Sequence, residues 1–216
     1  MKKIFIVGVL FALPIVAYLF FSSGKNNFAR LPVVTPKVQH ISGLESLTGE
    51  KVALEDNITI LAFFGSDLQE IKGNTFNLDQ EILDKYYEFE DFQFVILLPE
   101  ESREKAAEFA KEFSAISHSE EWKFLFASPN EIQEVFNSLG SSYRLDENNF
   151  SPYVFIIDKD AALRGRKDDE DYGTLYGYDS RSVAELNNKM NDDVKVILAE
   201  YRLELRKYNE GQTEEE

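Results

Sequence analysis

The sequence predicts an α/β fold in which a central β-sheet carries helices on both faces, with an N-terminal β-hairpin extension and one transmembrane helix before it. Two nearly continuous apolar runs, Ile58–Phe64 and Phe92–Leu98, are typical of strands that are covered on both faces. Apolar residues at helical spacing separate these runs. Strands that alternate with helices indicate a central sheet with right-handed crossovers.

The N-terminal segment, residues 1–24, has the pattern of a membrane anchor. Lys2 and Lys3 precede an uncharged, mostly apolar run over Ile4–Phe21, which as a helix would span about 27 Å at about 1.5 Å per residue. The flanking lysines place the N-terminus in the cytoplasm and the rest of the chain outside it. The length of the run favours an uncleaved single-pass anchor over a cleaved signal peptide, which would release a secreted protein.

A polar tether over 25–37 precedes the globular domain, which we predict at 38–208, with an acidic tail at 209–216. The domain opens with short strands at Val38–Leu47 and Lys51–Leu54 that form the predicted hairpin. The later predicted elements, in chain order, are a helix at Asn74–Phe89, a helix from Ser102 to Phe113, a strand at Trp122–Phe126, a helix at Asn130–Leu139, strands at Tyr153–Ile157 and Ala162–Arg166, and a long helix whose apolar stripe runs from Val183 to Leu205.

Composition excludes several classes of function. The net charge of −16 disfavours binding to nucleic acids, because an acidic surface repels the phosphate backbone. The chain has no cysteine, so it cannot form a disulfide, a thiol nucleophile or a cysteine-ligated metal site. It also lacks the glycine-rich motifs of nucleotide-binding proteins and the Gly-x-Ser-x-Gly motif of hydrolases.

Three stretches carry a resemblance to a known family. Leu47–Leu54 leads into a strand that ends in Phe64-Gly65, Ser151–Asp160 combines a proline, a strand and a turn, and Leu163–Arg166 precedes the C-terminal helix. Over residues 38–207 the order of these stretches resembles the thioredoxin-like superfamily and, within it, the Sco/SenC branch. That resemblance implies a thioredoxin-like central sheet.

The same resemblance implies a site from which the reactive groups are missing. Sco proteins are membrane-anchored copper chaperones or thiol reductases of cytochrome oxidase assembly, and they hold copper with a Cys-x-x-x-Cys motif and a distant histidine. Gln69 and Gly73 stand at the cysteine positions, and Phe150 or its neighbour Asn149 stands at the histidine position. We therefore expect neither copper binding in the family's manner nor thiol exchange, no cofactor and no enzymatic activity.

We expect the remnant of that site to form a shallow pocket that contacts a protein partner. Pro152 fits the position of the cis-proline that thioredoxins place opposite their active site, although an ordinary trans-proline at the start of a strand fits equally well. The predicted pocket residues are Ser66, Gln69, Gly73, Phe150, Ser151 and Pro152.

Two other groups of residues are candidates for function. Tyr172, Tyr176 and Tyr178 lie among glycines in a predicted loop, where they could anchor a partner or pack over their own domain. Asp168–Asp171 is an acidic cluster that could hold a cation or form a solvated loop. The two histidines, His40 and His118, are far apart in sequence, and no metal site is expected from them.

The leading hypothesis is a non-catalytic, membrane-anchored protein of the periplasmic side that acts through protein contacts in cytochrome oxidase or copper-site assembly. Its partners would then be oxidase-assembly factors and the membrane. A second hypothesis is a metal carrier or enzyme that uses non-thiol ligands such as the Asp168–Asp171 cluster. A third is a structural spacer domain without a site.

Overall fold

The computed structural model describes residues 12–16, 30–69, 71–114 and 121–213. Residues 12–16 are helical, and within the described part of the chain no helix is both long and apolar enough to cross a membrane. Most of the predicted anchor, and His118, lie outside these residues.

The main sheet has eight strands, and seven of them form one path in the order β1-β7-β6-β3-β4-β5-β2. The central strands β3, β4 and β5 are parallel, while β6 runs antiparallel to β3, and the short edge strands are also antiparallel to their neighbours. A further strand, β10, pairs with β6, and β8 pairs with β9 in a separate hairpin. The strands are β1 (Val33–Thr35), β2 (Glu45–Ser46), β3 (Ile58–Phe63), β4 (Phe92–Pro99), β5 (Trp122–Ala127), β6 (Tyr153–Ile157), β7 (Leu163–Arg164), β8 (Arg166–Asp169), β9 (Gly173–Leu175) and β10 (Tyr178–Asp179).

Within the described residues four helices pack against the sheet, and a short 3-10 turn, Glu100–Ser102, precedes the second of them. The first, α1, begins as Lys72–Leu78, passes through a π-helical stretch at Asp79–Leu83 and ends in the turn Asp84–Tyr86. The others are α2 (Arg103–Phe113), α3 (Pro129–Ser138) and α4, which consists of Val183–Glu185, the π-helical Leu186–Met190 and Asn191–Thr213. Helix α3 starts where its sequence dictates, because Ser128 and Glu131 form a reciprocal capping box and Pro129 occupies the first turn.

The core lies in two layers, one on each face of the sheet. On one face α1, α2 and α4 pack against alternate side chains of β3, β4 and β5, including Phe94 and Trp122. On the other face α3 and the segment around Val38, Ile41 and Leu54 cover the remaining side chains. The predicted central strands, covered on both faces, are confirmed.

The predicted N-terminal hairpin is wrong. Val38–Leu47 and Lys51–Leu54 do not pair with each other; instead β1 and β2 join opposite edges of the sheet through β7 and β5. The apolar residues of this region bury against α3 and the sheet face, and an irregular segment that buries alternate side chains has the same sequence pattern as a strand.

The predicted tether also ends earlier than residue 37. Leu31 is buried, β1 begins at Val33, and Pro32 accepts a hydrogen bond from the Gly165 amide. Proline is compatible with an edge strand, so Pro32 and Pro36 do not prevent pairing there. At the other end α4 continues to Thr213, into the segment that we predicted as an acidic tail.

A buried ionic cluster joins the start of the fold to its last helix. The Arg164 guanidinium donates to Asp158 Oδ2 at 3.0 Å, to Glu200 Oε2 at 2.6 Å and to the Leu31 carbonyl at 2.7 Å. Glu200 Oε1 in turn accepts from the Leu31 amide at 2.7 Å. All three charged side chains are at least nine-tenths buried, so each depends on the others to offset its desolvation.

We therefore expect Arg164→Met to lower the free energy of unfolding by about 3–5 kcal/mol, because it leaves two buried carboxylates without their cation. Lys195→Met is the matched control: it removes a cation from an exposed ion pair with Asp192, and its cost should stay below about 1 kcal/mol. Urea denaturation of both variants gives the comparison. Similar losses in the two variants would show that the buried cluster has no special importance.

Candidate functional site

A hollow of about 230 Å³ lies where β3 ends and the chain turns toward α1. Phe64 bridges to Phe150 just after the strand, and the Ser151 amide donates to the Phe63 carbonyl at 2.8 Å. The segment before β6 is thereby held against the end of β3. The hollow is lined by Phe64, Ser66, Asp67, Ile71, Asn74, Asp146, Asn148, Phe150 and Arg181.

The wall that carries Phe150 is built by a side chain-to-backbone turn. Asp146 Oδ1 accepts from the amides of Asn148 at 2.8 Å and Phe150 at 2.9 Å, and the Asp146 amide donates to the Phe150 carbonyl. Aspartate commonly closes such turns because its carboxylate can reach amides two and more residues ahead. Asn149 takes a positive φ of 59°, which asparagine tolerates better than most residues.

Gly65 allows the Asn148–Phe150 segment to approach the end of β3 closely. Its φ is +63°, and a Cβ at this position would lie 2.7 Å from the Asn148 carbonyl oxygen and 3.0 Å from Phe150 Cβ. Only glycine adopts this positive φ without strain and also leaves room for Asn148 and Phe150. The Phe-Gly pair that ends the strand in the sequence therefore has a direct role in shaping the hollow.

Of the described residues that line the hollow, only Arg181 is a cation, and it is already paired. The Arg181 guanidinium binds Asp179 through Nε and Nη2, the latter at 2.7 Å from Oδ2. Hydrogen bonding to Asp179 raises the pKa of Arg181. Burial alone would raise the pKa of Asp179, but the hydrogen bonds from Arg181 outweigh it and lower that pKa. The pair therefore stays charged across the neutral range and contributes little net charge to the hollow.

The structure brings together two of the six predicted pocket residues, Ser66 and Phe150. The other four do not line the hollow. Gln69 is exposed, and its backbone N–H donates to Asp67 Oδ1. Gly73 instead lines a separate apolar groove with Phe76, Phe109 and Phe113.

Ser151 and Pro152 serve the fold instead. Ser151 is fully buried and its hydroxyl accepts from the Tyr153 amide. The Pro152 carbonyl accepts from the amide and hydroxyl of Ser180. No cis peptide bond occurs among the described residues, so the Ser151–Pro152 bond is trans.

Seven of the nine lining residues were not predicted from the sequence. Phe64, Asp67 and Ile71 are sequence neighbours of the predicted Ser66, whereas the other four come from distant or separate elements. Asn74, Asp146, Asn148 and Arg181 come from helix α1, the loop before β6 and the turn before α4, which meet only in the folded chain. A turn at Asp146 could have been predicted from the sequence, since an aspartate in a polar loop ahead of a strand is typical of a turn. Asn74 and Arg181 belong to no motif.

The tyrosine loop is not a free loop. Tyr178 is fully buried in β10 and its hydroxyl donates to Asp193 at 2.6 Å, and burial together with the Asp193 carboxylate raises its pKa well above the usual value. Tyr176 is half-buried against the core. Tyr172 is half-exposed, but its hydroxyl donates to Glu185 and Lys189 lies over its ring. Tyr178 belongs to the core, so a role of its side chain in partner binding is wrong; for Tyr172 and Tyr176 the hypothesis of a partner-binding loop stays a prediction.

The acidic cluster is not an open cation site. The Lys189 ammonium binds Asp169 at 2.8 Å and Asp171 at 2.7 Å, and Asp168 and Glu170 are exposed in the β8–β9 hairpin. Asp169 is itself buried, and the Lys189 hydrogen bond outweighs the effect of burial to lower its pKa. Across the described ranges no group of three or more histidine, aspartate or glutamate side chains could hold a metal ion. His40 pairs with Glu55 rather than with a metal site.

The donor set for copper that the Sco resemblance implies does not fit this chain. Gln69 offers a neutral amide, Gly73 has no side chain, and the histidine position carries Phe150 or its neighbour Asn149, whereas copper in such sites takes soft thiolates and imidazole. Gly73 also faces the neighbouring groove and not the hollow that holds Phe150.

Comparisons with known proteins agree on the fold. No family model matches the sequence, and neither does any curated protein. Similar solved structures include BsSco, a member of the Sco family of cytochrome c oxidase assembly proteins, with 13% identity and a TM-score of 0.58 over 78% of this chain and 98% of that one. ScoI from Arabidopsis thaliana with copper bound has 20% identity and a TM-score of 0.51 over 73% of this chain and 98% of that one.

A thiol:disulfide interchange protein of the thioredoxin family from Chlorobium tepidum is also similar, with 20% identity and a TM-score of 0.50 over 79% of this chain and 98% of its own. Together these structures show that the chain has a thioredoxin-like fold. The resemblance to Sco proteins that the sequence predicted is confirmed at the level of the fold.

The close approach at Gly65 gives a direct test of how the hollow is built. Gly65→Ala should lower the free energy of unfolding by about 1–2 kcal/mol for the left-handed backbone and by a further ~1–3 kcal/mol for the crowding against Asn148 and Phe150. Gly49→Ala is the control, because Gly49 also has a positive φ of 79° but nothing lies within 4 Å of the added methyl group. If denaturant unfolding gave equal losses of unfolding free energy for the two variants, the segment Asn148–Phe150 would move aside without an energetic penalty, contrary to this prediction.

Proposed function

We propose that this chain is a non-catalytic, thioredoxin-like binding protein that acts through protein contacts at the hollow. We propose further that it works in the assembly of cytochrome oxidase or its copper site, held at the extracytoplasmic face of a membrane by its N-terminal segment. The single observation that carries the first proposal is the hollow itself: it lies at the end of β3, beside the positions where the resembled family holds its reactive groups, in a chain without any cysteine.

The absence of thiols decides against exchange chemistry. Thiol–disulfide exchange and its mixed-disulfide intermediate need a thiolate on the protein, and the full sequence has none. Among the described residues that line the hollow, no histidine accompanies the Ser66 hydroxyl, and histidine is a common general base for a serine nucleophile. What remains at this place is a surface that can bind.

The size and lining of the hollow suit part of a protein. Its volume of about 230 Å³ is below the ~300–1,000 Å³ that is usual for sites of cofactors and small molecules. Phe64, Ile71 and Phe150 line it together with polar residues. Protein contacts commonly combine apolar and polar groups.

The hollow lies far from the point where the chain enters the fold. Arg181 lines the hollow and precedes the start of α4 by two residues, whereas Glu200, further along α4, binds the Leu31 amide. At about 1.5 Å per residue, the stretch from Val183 to Glu200 is about 25 Å long. A domain attached to a membrane through its N-terminal segment would therefore present the hollow away from the attachment point.

Two further features support the proposed location at a membrane and the proposed role in oxidase assembly. Lys2 and Lys3 ahead of the apolar run Ile4–Phe21 favour an anchor with the domain on the periplasmic side. Similar structures include a cytochrome c oxidase assembly protein and a copper-bound ScoI. Since this chain lacks the copper donors, we propose that it serves such assembly as a partner of metal-carrying proteins.

Site-specific photocrosslinking in native membranes tests the proposal. A benzoylphenylalanine in place of Ser66 should give discrete adducts with oxidase subunits or oxidase-assembly proteins, identified by mass spectrometry. In that background Phe150→Ala should reduce the adducts about tenfold or more, because truncation of a central aromatic contact typically costs 2 kcal/mol or more.

Two controls make the result specific. The same crosslinker in place of Gln80, an exposed residue of α1, should give none of these adducts. Phe76→Ala removes a half-exposed phenylalanine from the separate groove and should leave them unchanged. Absence of adducts at position 66, or the same adducts from both positions, would refute the proposed binding surface.

A further inference from the structure

The apolar groove between α1 and α2 is a second concave surface of the domain. It has a volume of about 430 Å³ and shares no lining residue with the hollow. Phe109 and Phe113 of α2, whose rings stack with their centroids 5.5 Å apart, line it together with Gly73 and Phe76 of α1. A Cβ at Gly73 would meet no atom within 4 Å, so the groove is open at this residue.

Phe76 adds a half-exposed aromatic ring to this opening. Half of its surface stays accessible, although phenylalanine is among the residues that are most often buried. The same surface therefore carries an apolar ring that is only partly covered and an apolar groove that is open. Two such surfaces related by a two-fold axis can each supply the ring that enters the groove of the other, which is the arrangement of an isologous dimer.

The distribution of charge favours a second copy as the occupant. The chain has a net charge of −16, so two copies repel each other over much of their surface. Helix α2 is neutral by contrast, because its three basic and three acidic residues cancel, and the first part of α1, Lys72–Leu78, adds one cation. Two copies can therefore meet at this face with little repulsion, whereas a partner selected by charge would be basic and would prefer the acidic surface.

An ion pair at the groove is complementary to itself. Lys72 Nζ of α1 lies 2.7 Å from Glu112 Oε2 of α2, and both side chains are exposed. Under a two-fold rotation each copy presents one cation and one anion to the other, so that Lys72 of one copy can face Glu112 of the second copy. Such an exposed pair adds little affinity, but it favours one orientation, because other orientations bring like charges together.

We propose that the α1–α2 groove is the contact surface of a homodimer. Phe76 of each copy occupies the groove of the other, and Lys72 faces Glu112 across the two-fold axis. The inference does not rest on the proposed function, since the hollow and the groove have no lining residue in common.

Sedimentation equilibrium of the purified full-length chain, in a density-matched detergent, measures the association directly. We expect a reversible monomer–dimer equilibrium, because one groove and one exposed ring give an interface at the small end of the usual range. Phe76→Ala should raise the dissociation constant about tenfold or more, as truncation of a central aromatic contact typically does. Tyr87→Ala is the matched control: it truncates a partly exposed aromatic residue outside the groove and should leave the dissociation constant unchanged.

Charge reversal tests the orientation of the two copies. Lys72→Glu and Glu112→Lys should each raise the dissociation constant about fivefold or more, since like charges then face each other across the axis. An equimolar mixture of the two variants should associate at least as tightly as the wild-type chain, because every facing pair is again of opposite sign. Both residues are exposed, so these changes should leave the folded state intact.

Several outcomes would overturn the inference. A wild-type chain that stays monomeric, while benzoylphenylalanine in place of Phe76 crosslinks to other proteins in native membranes, would assign the groove to a different partner. A monomer without such adducts would leave the groove without a protein occupant. A dimer that Phe76→Ala leaves unchanged, or that Tyr87→Ala weakens equally, would place the contact elsewhere. If the mixture of the charge variants fails to associate, the two-fold arrangement is wrong.

Discussion

The arrangement of this fold depends on the burial of one guanidinium group. Arg164 lies on a two-residue strand that would be a weak element by itself, yet it contacts the turn after β6, the last helix and the backbone carbonyl of Leu31. A buried cation needs several well-placed acceptors, because its own desolvation is larger than any single contact can offset. The cluster therefore fixes three distant parts of the chain in one geometry, including α4, at whose start the hollow is completed by Arg181.

The hollow is built by backbone contacts and one turn that require no reactive group. In this fold the segment before β6 approaches the end of β3, and here Gly65 and the Asp146 turn hold that approach closely. None of these features depends on a thiol. A chain that loses its cysteines can therefore keep the concave surface, provided that the glycine, the turn and the strands remain. The contact surface and the reactive groups are separable properties of the same scaffold.

Much of the fold could be predicted because a strand that is buried on both faces has a continuous apolar sequence. Ile58–Phe63 and Phe92–Pro99 are buried along their whole length, and continuous apolar runs report that burial. The edge strands were placed wrongly, because β1 and β2 are two or three residues long and pair with segments far away in sequence. The hollow was predicted at Ser66 and Phe150 through the resemblance, but Asn74 and Arg181 could not be found, since their elements meet only in the folded chain.

The clamp on Leu31 has a mechanical consequence for a domain held by its N-terminus. Both backbone groups of this residue are bound, the amide by Glu200 and the carbonyl by Arg164, and β1 follows at once in an antiparallel pairing with β7. Tension along the N-terminal segment therefore passes into α4 and β7 before it can reach any other element. The loop that carries Phe150 does not bind Leu31 directly, so a pull on the N-terminal segment would load the clamp before it loads that loop.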